Sequence, residues 1–168
     1  AVDHVKYITT TSGDKTVKLG YSTFSKVKIR KMENNQEVSA EDLKAGSVGY
    51  GVFKDLNHNG KLDDYEDWRK DTNTRTANLA SQMSNAEIAG LMLYSAHQMQ
   101  WKSSVPGQAQ VAFLANDDLR HVLIAGEVPA SIAAPWNNNV QAITESIGLG
   151  IPANNSTDPR HSAAVGIE

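Results

Sequence analysis

Twelve residues fix more of this chain's local chemistry than any other stretch: Asp55-Leu56-Asn57-His58-Asn59-Gly60-Lys61-Leu62-Asp63-Asp64-Tyr65-Glu66. Oxygen-bearing side chains stand at the first, third and fifth places, glycine at the sixth and glutamate at the last. This is the D-x-N-x-N-G-x5-E pattern of a calcium loop. A hard cation of that kind takes ~6–8 oxygens. Asp55, Asn57 and Asn59 offer side-chain oxygens, Lys61 its backbone carbonyl, and Asp63 a direct or water-borne contact. Glu66 closes the shell with both carboxylate oxygens. Gly60 lets the backbone turn sharply, and Leu62 turns an aliphatic anchor inward. Only Asp55, Asp63 and Glu66 bring full charge, so a structural Ca2+ is expected at the modest affinity of extracellular modules. The competing reading is an Asn/Gly-rich turn that happens to fit.

The flanks exclude a paired sensor. Gly46-Ser47-Val48-Gly49-Tyr50-Gly51-Val52-Phe53-Lys54 is glycine-rich and extended, so no amphipathic helix enters the loop. A helix is expected to leave it through Tyr65, Asp67 and Trp68. No second copy of the pattern occurs. A single strand–loop–helix clip holds a domain together and does not signal.

With 168 residues and 40% hydrophobic content, the chain can build one domain or slightly more. A net charge of −3 leaves no footprint for nucleic acid. The densest basic run, Lys26-Val27-Lys28-Ile29-Arg30-Lys31, alternates and reads as the solvated face of a strand. No window approaches the ~18 apolar residues of a membrane span. Cysteine is absent, which removes disulfides and thiol chemistry without fixing the compartment. The loop favours a periplasmic or secreted setting, where free calcium is plentiful.

Residues 1–46 read as an extended N-terminal arm, with strands over Val5 to Thr11, Thr16 to Tyr21 and Thr23 to Met32. Ser39 to Gly46 can form one helical turn. Asp71 can cap a helix from Thr72 to Met83. Ser84-Asn85-Ala86-Glu87 is a capping box opening a second helix to about Ala96, whose methionines are expected to pack. Gln108 to Leu119 is ambiguous. His121-Val122-Leu123-Ile124 reads as a buried parallel strand, apolar on both faces. Trp136, Val140, Ile143 and Ile147 mark a helix that Gly148 stops, with Pro135 in its first turn. Leu149-Gly150-Ile151-Pro152-Ala153 then leads into a second strand ending near Asp158. Strand–helix–strand is a βαβ unit, which needs more strands to make a sheet. The expected fold class is therefore α/β, an incomplete (β/α)8 barrel. Residues 47–168 would hold the calcium-loop segment, a helix pair and the first barrel strands.

At this point the residues resemble a known family. Leu149-Gly150-Ile151-Pro152 leading to Ser156-Thr157-Asp158-Pro159-Arg160-His161 looks like the second-strand region of glycoside hydrolase family 3, the β-glucosidase type. Tyr65-Glu66-Asp67-Trp68-Arg69, Met83-Ser84-Asn85-Ala86-Glu87 through Gly90-Leu91-Met92, Leu119 to Ile124, and Trp136-Asn137-Asn138 agree with it in order. The likeness covers about residues 47 to 163.

The resemblance implies a retaining, exo-acting β-glycosidase that removes terminal β-D-glucosyl residues using two carboxylates. In that family both carboxylates lie on later segments, so no catalytic residue carries over and the fragment alone should be inactive. One substrate contact does carry over: Asp158, at the end of the second strand, would accept hydrogen bonds from hydroxyls of the non-reducing sugar. Arg160 and His161 would support it. Partners implied are the carbohydrate substrate in the complete enzyme, and either the remainder of the barrel or a second copy to cover apolar surface. Nucleic acid and membrane are not among them. The alternative from another class is a stand-alone calcium-dependent extracellular binding or scaffolding module.

Overall fold

The computed structural model describes residues 4–97, 103–124 and 128–157, with side chains left out for 95–97 and 157. Two compact units divide at Met83/Ser84, whereas the sequence suggested a division after residue 46. Strand pairing explains the difference, because it sews the N-terminal arm onto the segment that carries the loop.

In the first unit, β1 (Val5–Ser12) and β2 (Lys15–Ser22) form an antiparallel hairpin, and β4 (Ser47–Val48) pairs parallel to β1. Gly13 takes the positive φ of 61° that the tight turn requires. β3 (Lys28–Lys31) pairs antiparallel with β5 (Val52–Asp55), with Lys28 opposite Asp55. Ile8, Ile29, Val38 and Val52 form the core, and Leu19, Tyr21, Leu43, Val48 and Tyr50 pack on it. The buried Thr10 hydroxyl bridges the two sheets: it donates to the Tyr50 carbonyl (2.7 Å) and accepts from Val52 N–H (2.8 Å). Helix α1 (Ala40–Ala45) is capped by Ser39 and stopped by Gly46 at φ 72°. Helix α2 (Thr72–Gln82) is capped by Asp71 and has no buried residue. Its hold on the unit is polar: Arg75 Nε donates to the Tyr65 carbonyl (3.0 Å), and Asn78 accepts from Tyr65 N–H (3.1 Å).

The expected helix through Tyr65, Asp67 and Trp68 is instead a run of turns. The Trp68 indole N–H donates to the Val52 carbonyl (2.8 Å), which draws this segment back onto β5. Arg69 is tied to Asp67 through both Nε and Nη2 (2.8 and 2.7 Å).

The second unit opens with α3 (Asn85–Met92), whose Ser84–Glu87 capping box is formed in both directions. Then follow β6 (Tyr94–His97), α4 (Gln108–Asn116), β7 (His121–Ile124), α5 (Ala130–Glu145) and β8 (Asn154–Thr157). The three strands are parallel in the order β6-β7-β8, so the unit is βαβαβ. Its core is Leu114, Leu119, Val122, Val128, Trp136, Val140 and Ala153, with Ile143 and Ile147 packed against it. The apolar stripe of α5 thus faces inward as its spacing required. The helix begins at Ala130, however, which places Pro135 in its second turn.

Three expectations change here. Strand β6 replaces the end of the second helix. Met92 is 81% exposed and does not pack. The sheet carries polar groups as well: Val122 is buried in the core, while on the face that Leu123 shares His121 bonds Asn154 (3.2 Å) and the Tyr94 hydroxyl lies 3.0 Å from Ser156 Oγ. β8 itself is Asn-Asn-Ser-Thr.

Candidate metal centre

β5 delivers Asp55 to the head of the loop, and its carboxylate is 1% exposed. The backbone then follows the path that the sequence pattern prescribes. Gly60 stands at φ 77° and donates its N–H to Asp55 Oδ1 and Oδ2 (3.2 and 3.1 Å). Asn57 Oδ1 accepts from Asn59 N–H (3.2 Å), and Asn59 Oδ1 accepts from Lys61 N–H (2.7 Å), two Asx turns in succession. Glu66 returns to the start of the loop. Its Oε1 accepts from Leu56 N–H (2.6 Å) and Asn57 N–H (3.4 Å), and its Oε2 from Asp63 N–H (3.0 Å). The loop is therefore closed end to end by its own last residue.

The donor set suits a hard cation: three carboxylates and two amide oxygens, each amide oxygen with a second lone pair beyond its turn hydrogen bond. Among the described residues, however, no three Asp, Glu or His side chains are drawn together as a ready-made metal cluster. The reason is visible in their partners. Asp63 Oδ2 takes both Asn57 Nδ2 (2.8 Å) and Asn59 Nδ2 (2.6 Å). Asp55 Oδ2 takes Arg30 Nε (2.6 Å). The positive ends of internal dipoles and one guanidinium stand around the carboxylates.

The electrostatics report a crowded, negative pocket. Burial pushes Glu66 up to about 7, against the pull of the Asp63, Leu56 and Asn57 amides. The Tyr65 phenol is raised by burial and then by the neighbouring Glu66, Asp63 and Asp55 charges. Asp67 goes the other way, held below the usual carboxylate range by its hydrogen bond to Arg69.

The sequence reading missed two residues. Arg30 was placed on a solvated strand face, yet its side chain crosses to Asp55 from β3, twenty-five positions away in the chain. Arg120 is 4% exposed and serves three carbonyls: Ile151 through Nε (2.9 Å), and Leu114 and Leu119 through Nη1 (2.7 and 3.0 Å). Burial lowers its pKa, with Asp118 and Glu87 opposing. Its only signal in the sequence was a lone cation beside an apolar strand. The sugar-contact residues Asp158, Arg160 and His161 lie outside the described residues.

No protein-family model matches the chain. It is 38% identical over 118 residues to a periplasmic beta-glucosidase/beta-xylosidase of Dickeya chrysanthemi, a match covering 66% of this chain and 18% of that protein. The relationship is with a glycoside hydrolase. The chain spans less than a fifth of that glycosidase's length, so the likeness reaches one portion of it.

Proposed function

We propose that the chain is the N-terminal portion of a retaining, exo-acting β-glycosidase of glycoside hydrolase family 3, working in the periplasm or outside the cell. The carrying observation is the 38% identity over 118 residues to a periplasmic beta-glucosidase/beta-xylosidase. The parallel order β6-β7-β8 with its two crossover helices supports reading the second unit as the opening of a (β/α)8 barrel. Both catalytic carboxylates belong to later segments in this reading, so residues 1–168 alone turn over no glycoside. Asp158 holds two hydroxyls of the terminal sugar, and Arg160 and His161 support its carboxylate. The remainder of the barrel covers the exposed Ile88, Met92, Leu93 and Tyr94; without it, copies of the chain associate through them.

The loop Asp55–Glu66 is, in the same reading, a structural calcium clip for the first unit, with Asp55, Asn57, Asn59, Lys61, Asp63 and Glu66 as ligands. Bound calcium would neutralise the buried Asp55 and Glu66 and the half-buried Asp63 at once. The test of the glycosidase reading is Asp158→Ala in the complete enzyme. Hydrogen bonds to a charged group are worth about 1.5–3 kcal/mol each, so kcat/KM for aryl β-glucosides should fall at least tenfold. An unchanged kcat/KM would remove Asp158 from the sugar site.

A further inference from the structure

A cation from outside the loop already stands against its first carboxylate. Arg30 comes from β3, outside the twelve-residue run, and its Nε lies 2.6 Å from Asp55 Oδ2. Its Nη1 is anchored on the Asn35 carbonyl (3.0 Å), in the turn where Asn35 takes φ 61°. Its Nη2 comes up beside Gly60, where a Cβ would lie 3.8 Å from it. The guanidinium is thus held by two hydrogen bonds, with only 23% of the side chain exposed, against a carboxylate that is 1% exposed. A buried carboxylate without a partner would be strongly unfavourable. Arg30 supplies that partner from a different strand, and the Gly60 N–H completes it.

A divalent ion seated among Asp55, Asn57, Asn59, Asp63 and Glu66 would meet this fixed positive charge at its first ligand. Like charges at such distances repel strongly wherever water is largely excluded. We propose that Arg30 is a built-in surrogate cation: it holds the loop closed when calcium is absent, and it sets the calcium affinity low by staying paired with Asp55. This rests on the calcium reading above. The residue is a positioning and affinity-setting group, not a ligand.

Four proteins separate the possibilities: the parent chain, Arg30→Gln, Arg30→Lys and Lys28→Gln. Lys28 lies on the same strand, opposite Asp55, and pairs with Glu37 at 2.9 Å, so its removal subtracts the same charge while leaving the Arg30–Asp55 pair in place. Calcium chloride is titrated into each by calorimetry, and melting is followed with calcium and with EGTA. Arg30→Gln should bind calcium about tenfold tighter than the parent, melt lower in EGTA, and gain more from calcium. Arg30→Lys and Lys28→Gln should stay within about twofold of the parent. If Arg30→Gln is unfolded in EGTA, calcium should restore the parent's circular dichroism spectrum; no recovery would overturn the proposal. Equal or weaker binding by Arg30→Gln would overturn it while leaving the calcium site standing, as would equal tightening by Lys28→Gln. Absence of heat from the parent and every variant would overturn the calcium reading itself, and this inference with it.

Discussion

Gly60 and Gly90 are glycines for different reasons, and each gives a test. Gly60 needs its φ of 77°, which costs an L side chain about 1–2 kcal/mol. Gly60→Ala should therefore lower the melting point of the first unit. Gly90 is a matter of space: a Cβ there would lie 2.7 Å from Asp118 Cβ, pressed into the turn before Leu119. Overpacking of that kind costs about 1–3 kcal/mol, so urea unfolding of Gly90→Ala should shift its midpoint downward with little change in slope. Arg120→Met would strip the carbonyls of Leu114, Leu119 and Ile151 of a donor they share. At about 1–3 kcal/mol for each buried group left unpaired, this substitution should destabilise the second unit more than either glycine replacement. A melting point equal to the parent's would show that the three carbonyls find other donors.

At the scale of elements, the caps were legible and the strands less so. Asp71, Ser39, Gly46 and the Ser84–Glu87 box are local signals, complete within four residues, and each ended or began a helix where the sequence placed it. Strand β6 was not legible. Leu91-Met92-Leu93-Tyr94 continues an apolar run that helix and strand share, and only pairing with β7, Tyr94 to His121, decides for strand. The second strand, β8, stands just before Asp158, where the sequence placed it, although its Asn-Asn-Ser-Thr carries no apolar signature. Arg30 escaped for the same physical reason as β6: its partner Asp55 is remote in sequence, and an alternating basic run carries no mark of a non-local ion pair. The capping box also predicts a pH response. The Ser84 amide holds Glu87 below its ordinary 4.5, so the folded pKa is depressed. The stabilisation is then present above 4.5 and is lost as pH falls through the lower folded value. Amide exchange of α3 should accelerate over that acid range in the parent, and Glu87→Gln should flatten the response. Ser84→Ala should cost about 1 kcal/mol at neutral pH.

For the whole molecule, the consequential surface is the corner where α3 runs into β6. Met92 is 81%, Tyr94 60% and Leu93 51% exposed, beside a parallel sheet with three strands. Light scattering on this chain should show concentration-dependent association, weakened by Leu93→Glu; a compact monomer at every concentration would count against an uncovered barrel-side surface. The glycosidase account is tested most directly by turnover. Aryl β-glucosides and β-xylosides should be hydrolysed with retention by the complete enzyme, and not at all by residues 1–168. Hydrolysis by this chain alone would contradict the claim that its catalytic carboxylates lie elsewhere, and an inert complete protein would contradict the glycosidase reading.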